Sequence, residues 1–244
     1  MLFRSTHSAQ AVDADEVPDG LTCQLLRRAA QRHHVYVCSG LVEREREKVF
    51  NSAVLINPAG EVILHHRKIN ELEIGQASYA LGDRLGVATT PLGTFGLMIC
   101  ADGFARDQVL SRSLGYMGAQ VILSPCAWAM SADHDNAQEP YGRLWLDNYQ
   151  PVARDFRLWI VGVSNVGEIT DGPWCGRHCI GASLVVGPDG AQVLQGPYGV
   201  DAEACLFVDI DPVARPAQGE GWSELWQSAG QRSVTSLSSP SCTS

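Results

Sequence analysis

One local pattern occurs twice in this chain and restricts what it can fold into. The stretches AVLINPAGEVIL (53–64) and SLVVGPDGAQVL (183–194) align without a gap. Each is a β-prone run, a turn carrying Pro and Gly, and a second β-prone run. Pro fixes φ for the turn and Gly tolerates positive φ, so each stretch predicts a β-hairpin. Each hairpin also has the same approach. Leu21, Leu25, Leu26, Ala29 and Ala30 recur at helical spacing and lead into the apolar run 35–38. Residues 143–156, with Leu144, Trp145, Tyr149 and Phe156 roughly on one stripe, lead into the run 158–163. Helix, strand and hairpin thus appear at 21–65 and again at 143–194, and the chain reads as two similar halves.

The halves differ in what precedes them. Ahead of the second lie an apolar strand at 95–100, a helix from about 107 with Val109, Leu110, Ser113, Leu114 and Met117 on one face, and a strand at 121–124. Strand, helix and strand over so few residues make a βαβ unit, so the sheet holds parallel strands. Ahead of the first lie only the polar residues 1–20. The chain either simply starts on a helix or, as the symmetry favours, lacks an equivalent strand–helix–strand unit. Elsewhere the charged run 43–48 reads as a solvated turn, 67–86 and 125–142 as loops, and Cys205–Ile210 as a last strand. The domain is expected over 17–211, after a polar stub (1–16). A tail (212–244) follows, anchored by Trp222, Leu225 and Trp226 and disordered at its end.

Composition removes several function classes. The net charge is -9, whereas a general nucleic-acid binder needs a basic face to release counterions. No run approaches the ~20 apolar residues that span a bilayer, and the first residues lack the apolar stretch of a signal peptide. Eight cysteines in 244 residues, several inside apolar runs, do not form a disulfide framework and suit a reducing, cytoplasmic setting. Nucleic-acid and membrane partners are therefore not expected.

Among residues able to do chemistry, Cys100 has the best position. It stands where an apolar strand ends and a small turn, Ala101-Asp102-Gly103, begins before a helix. A rigid strand end, room beside small residues and exposed turn N–H groups suit a nucleophile, and a helix N-terminus favours thiolate. Lys68 closes the second strand of the first hairpin, where its ammonium can stabilise a thiolate and an oxyanion. Glu71 and Glu73 follow in the same loop, and either can orient it. Cys175, His178 and Cys179 form C-x-x-H-C, but no second pair completes a zinc set. No metal and no cofactor are expected. His65 and His66 read as structural, and the phosphate-binding glycine motifs and G-x-S-x-G are absent.

An ordered series of short motifs resembles the nitrilase superfamily of carbon–nitrogen hydrolases over about residues 17–210. It comprises Gly40-Leu41-Val42-Glu43, Asn51-Ser52-Ala53-Val54, Arg67-Lys68-Ile69, Gly82-Asp83, and Leu97 through Cys100-Ala101-Asp102. Gly118-Ala119, Ser124-Pro125 with Trp128, Ala153-Arg154 and Asn165-Val166-Gly167 continue it. The resemblance implies an α/β fold, an αββα sandwich of pseudo-twofold halves, commonly paired into homodimers or larger homo-oligomers. It implies a Glu–Lys–Cys set with Cys100 as nucleophile, Lys68 as the lysine and Glu71 or Glu73 as a further glutamate. The reaction implied is hydrolysis of a small amide, carbamoyl or nitrile substrate through a thioester, with an amidase favoured. Asp102, Trp128 and Tyr141 are candidate substrate contacts. The family's general-base glutamate ends a strand upstream of the helix matching 21–33. Nothing here matches that strand, and Glu16 is a poor substitute. Loss of a general base costs ~10²–10⁴ in rate, so low activity, or an inactive binding or assembly module of the same fold, is the alternative expectation.

Overall fold

The computed structural model describes residues 14–214. Trp222, Leu225, Trp226 and the polar end of the tail lie outside the described residues. The elements run α1 (Leu21–His33), β1 (Val37–Glu45), β2 (Lys48–Ile56), β3 (Val62–Arg67), β4 (Val87–Thr90) and β5 (Gly93–Leu97). They continue with α2 (Val109–Tyr116), β6 (Val121–Cys126), β7 (Ala129–Ser131), α3 (Arg143–Phe156) and β8 (Trp159–Ser164). The last are β9 (Val166–Glu168), β10 (Arg177–Ile180), β11 (Leu184–Val186) and β12 (Gln192–Gln195).

Side-chain alternation along β2 builds the layers. Val54 and Ile56 face one way, into a cluster with Ala30 of α1 and Leu41. Ala53 and Leu55 face the other, against Leu97 and Ile99 at the end of β5. Period-two burial on both faces means that β2 is covered on one side by a helix and on the other by a second sheet. The first sheet is antiparallel, in the order β1-β2-β3, and the second has the order β12-β11-β8-β6-β5-β4. In the second, β5 and β8 run parallel to β6 on either side, as the βαβ reading requires. Helices α2 and α3 cover its outer face through Leu114, Trp145, Tyr149 and Val152, packed on Ile122, Ile160 and Leu184. Helix, sheet, sheet, helix is the expected αββα layering.

The duplication holds in detail. Hairpins β2–β3 and β11–β12 turn at Gly60 (φ 77°) and Gly190 (φ 80°). Both ladders slip at the same step, between Leu55 and Ile56 and between Val185 and Val186. Both preceding helices end on a left-handed residue, His34 and Arg157. Just beyond each hairpin, Lys68 N–H donates to Asn51 O (2.8 Å), and Tyr198 forms a bridge with Gly181. These pairs are equivalent positions of the two halves.

Three expectations change. The run 43–48 is not a solvated turn throughout: β1 and β2 continue through it to a tight turn at Arg46. Glu43 is buried at 2% exposure against His65, Arg67 and Ser52. Burial disfavours its ionised form, but those three donors hold its carboxyl down at about 2. Cys205–Ile210 forms no strand. No ladder reaches it, Phe207 is 86% exposed, and the chain is held just beyond, where Trp159 Nε1 and Gln120 Nε2 donate to Asp211 O and Val213 O. An apolar run without a neighbouring edge has nothing to pair with. The stretch 125–142, read as a loop, contains β7, which joins β10 and β9 in a small sheet, whose strands are too short to show a period. Among the described residues, no helix is long and apolar enough to cross a membrane.

Candidate active site

Strand β5 delivers Cys100 to the C-terminal end of the second sheet, and β3 delivers Lys68 from the first. Cys100 begins a 3-10 turn (Cys100–Phe104) with φ at 45°. A left-handed backbone is strained for a residue with a Cβ, and strain of this kind concentrates where chemistry is done. The Cys100 N–H donates to Ser124 Oγ (3.2 Å) on β6.

The thiol stands in a cluster that favours its anion. The Cys126 thiol hydrogen-bonds its sulfur, and this is the largest effect. Burial opposes it, while the Lys68 ammonium and the N–H groups of Ala127 and Ala101 support it. Together they lower the Cys100 thiol from 9.0 to about 7. Cys126 moves the opposite way, raised by burial and by its neighbour Cys100. The thiolate is the reactive form, so alkylation by iodoacetamide is expected to rise through a midpoint near pH 7. A midpoint near the ordinary thiol value, read by peptide mass spectrometry of Cys100, would contradict this electrostatic arrangement.

Lys68 is buried, and its Nζ lies 2.7 Å from Glu71 Oε1. The choice between the two glutamates is therefore made by geometry. Glu71 faces Lys68, while the 3-10 turn Glu73–Gly75 carries Glu73 into solvent. Gly75 makes the placement possible, since a Cβ there would come within 2.6 Å of Glu71 Oε1. Glu71 Oε1 also accepts the Leu72 N–H at 3.0 Å, and Oε2 has no partner among the described residues.

The structure places Asp102, a candidate substrate contact, in the core. It is fully buried and absent from the cavity wall. Its Oδ2 accepts from Ile99 N (2.9 Å) and His66 Nε2 (2.8 Å), and its Oδ1 from Ile69 N (3.1 Å) and Asn70 N (2.7 Å). Asn70 Nδ2 returns a bond to Ala101 O at 2.7 Å. One carboxylate thus joins the turn that presents Cys100 to the loop that presents Lys68. Two of the backbone donors that claim Asp102, Ile69 N–H and Asn70 N–H, come from far along the chain.

Cys100, Cys126, Lys68 and Glu71 open onto one cavity of ≈ 480 Å³. Trp128 and Tyr141 both line it, with Phe104, Trp145 and Trp174 beside them. Trp128 stacks on Trp145 at 4.6 Å, and Trp145 Nε1 donates to Tyr141 Oη at 2.7 Å, so this wall is rigid and largely apolar. Three buried polar atoms of the lining, Glu71 Oε2, Trp128 Nε1 and Asn165 Oδ1, have no partner among the described residues. Sequence reasoning singled out neither Cys126 nor Asn165 for the site. The available signal for Cys126 was two cysteines closing consecutive strands of a βαβ unit. Cys175 is exposed and Cys179 buried in β10, and among the described residues no three His, Cys, Asp or Glu side chains gather as a metal site.

A thiol on a strand end, a buried Lys–Glu pair from the facing sheet and an αββα sandwich define a class of protein, and sequence comparison gives the same class. The carbon-nitrogen hydrolase family profile matches residues 2–217, and the chain belongs to that family. It is 28% identical over 187 residues to an (R)-stereoselective amidase of a Pseudomonas species, covering 77% of this chain and 62% of the relative. It is 31% identical over 184 residues to a nitrilase of Pyrococcus abyssi, covering 74% and 62%. Saccharomyces cerevisiae Nit3, a member of branch 10 of the nitrilase superfamily, shares the fold with a TM-score of 0.66 at 20% identity, covering 80% of this chain and 69% of Nit3. The chain spans 62% of the length of each of these two curated relatives.

Proposed function

We propose that this protein hydrolyses a small amide through Cys100, with an acyl group of apolar or aromatic character. The observation that carries the reading is the convergence of a thiol lowered to about 7 and a buried Lys68–Glu71 pair on one aromatic-walled cavity. The Cys100 thiolate attacks the carbonyl carbon. The Lys68 ammonium and turn N–H groups offset the charge that develops on the oxygen. The C–N bond breaks as the nitrogen gains a proton at the Lys68–Glu71 pair, and ammonia leaves a thioester. Glu71 Oε2, free to accept a hydrogen bond, orients the water that attacks the thioester; the water's proton passes to the Lys68–Glu71 pair, replacing the one lost to ammonia, and the carboxylic acid leaves the Cys100 thiolate. The apolar wall formed by Trp128, Tyr141 and Trp145 favours an amide over a charged substrate. The amidase and nitrilase relatives support chemistry at a carbon–nitrogen bond in general.

A second reading is a non-hydrolytic binding module of the same fold. It is favoured by one observation: among the described residues, Glu71 is the sole carboxylate of the cavity wall, and it is already tied to Lys68. Ammonia release from a panel of aliphatic and aromatic amides separates the two readings. Turnover that disappears in Cys100→Ala is the expected result. Undiminished turnover in that variant removes Cys100 as nucleophile, and binding of amides without ammonia release favours the module.

A further inference from the structure

Cys126 has no part in the hydrolysis as written, yet it sits against the nucleophile. Strands β5 and β6 are parallel neighbours with Leu97 beside Leu123. Past that register Met98 N–H donates to Leu123 O at 3.2 Å, β5 gives way to the turn that begins at Cys100, and Cys126 closes β6. Neighbouring strands lie about 4.8 Å apart, of the order of the ~4.4–6.8 Å that a disulfide spans between Cα atoms. Ser124 ties the two together: its hydroxyl accepts the Cys100 N–H at 3.2 Å and lies 3.4 Å from Cys126 Sγ. Both thiols line the open cavity, so a small oxidant reaches them, and each titrates under the influence of the other.

We infer that Cys100 and Cys126 form a dithiol modification site, oxidised by a hydroperoxide to a reversible disulfide that protects the nucleophile from over-oxidation. The Cys100 thiolate attacks the peroxide oxygen and the O–O bond breaks. With hydrogen peroxide this leaves a sulfenic acid and hydroxide. The Cys126 sulfur then attacks the sulfenic sulfur, its proton goes to the departing oxygen, and water leaves. Two thiols have given up two electrons, and peroxide has become two waters. The lowered Cys100 thiol supplies the anion for the first step at neutral pH. Without a resolving thiol, a sulfenic acid in excess peroxide proceeds to sulfinic acid, which common thiol reductants do not reverse. Two other thiols compete: Cys38 lines the same cavity, with burial pushing its thiol up to about 12, and Cys179 is buried in β10, where the charge of Cys100 reaches it.

The test needs no turnover, so its failure is separate from failure of the hydrolase reading. Reduced protein is treated with a few equivalents of hydrogen peroxide, digested with trypsin without reductant and mapped by mass spectrometry. Cleavage at Arg84, Arg106, Arg112 and Arg143 places the two cysteines on separate peptides. The expected product is a cross-linked pair lighter by two hydrogens, with loss of iodoacetamide labelling at Cys100 that dithiothreitol restores. In Cys126→Ser the same dose is expected to add two oxygens to Cys100, and dithiothreitol does not restore labelling. Sulfinic acid at Cys100 of the unsubstituted protein, a cross-link of Cys100 to Cys38 or Cys179, or an unmodified Cys100 overturns the proposal. The cross-link is read on the unsubstituted protein, so it does not depend on how the variant folds.

Discussion

Asp102→Ala is expected to lower stability by about 3–5 kcal/mol, the range for removing one partner of a buried charged network. A domain of this size loses ~2–4 °C of Tm per kcal/mol, so a fall of roughly 6–20 °C in thermal denaturation is anticipated. The cause is specific. The substitution strands four donors at once: His66 Nε2 and the N–H groups of Ile69, Asn70 and Ile99. All were satisfied by one fully buried carboxylate, and each buried donor without an acceptor costs ~1–3 kcal/mol. A shift of less than about 2 °C would mean that the loop at 69–70 re-pairs its donors elsewhere, and that the carboxylate is not the clip between the sheets.

Lys68→Met is expected to act on two observables together. It leaves Glu71 with a buried charge and no cation, a loss of ~3–5 kcal/mol. It also removes the ammonium that lowers the Cys100 thiol. The thiol then moves up from about 7, and the thiolate fraction at neutral pH falls. Iodoacetamide labelling of Cys100 at pH 7 is expected to drop severalfold, with recovery at higher pH. Lower stability with unchanged labelling would leave Lys68 a structural partner of Glu71 only and remove it from the thiolate's surroundings.

What was legible in the sequence follows the range of the interactions. The two hairpins were readable because Pro, Gly and β-branched residues act within a few positions, and the ladder slip at Leu55–Ile56 and Val185–Val186 reproduces the gapless alignment. Cys100 and Lys68 were readable because each ends a strand. Glu71 against Glu73 was not: both follow Lys68 within reach, and only the 3-10 turn at Glu73–Gly75 turns one away. The empty side of Gly75 is the one local trace of the choice. The place of Asp102 was not legible because three of its four donors, His66 Nε2 and the N–H groups of Ile69 and Asn70, come from the first sheet and the loop after it, long-range pairings with no periodic signature. Cys126, at the end of an apolar run, is joined to Cys100 only by the shared cavity and by Ser124, contacts that no local pattern announces. The failed strand at Cys205–Ile210 shows the converse limit: apolar patterning describes a strand's faces but not whether an edge is there to receive it.

The equivalence of Lys68 and Tyr198 gives the duplication a consequence for stoichiometry. One template, run twice, would by itself generate two like catalytic centres related by a dyad. At matched positions one copy places an ammonium against a carboxylate, while the other places a phenol whose Oη lies 2.6 Å from His134 Nδ1. One copy supplies the ammonium and the other the thiol, so the candidate site draws on both, and a substitution in either copy is felt at the same thiol.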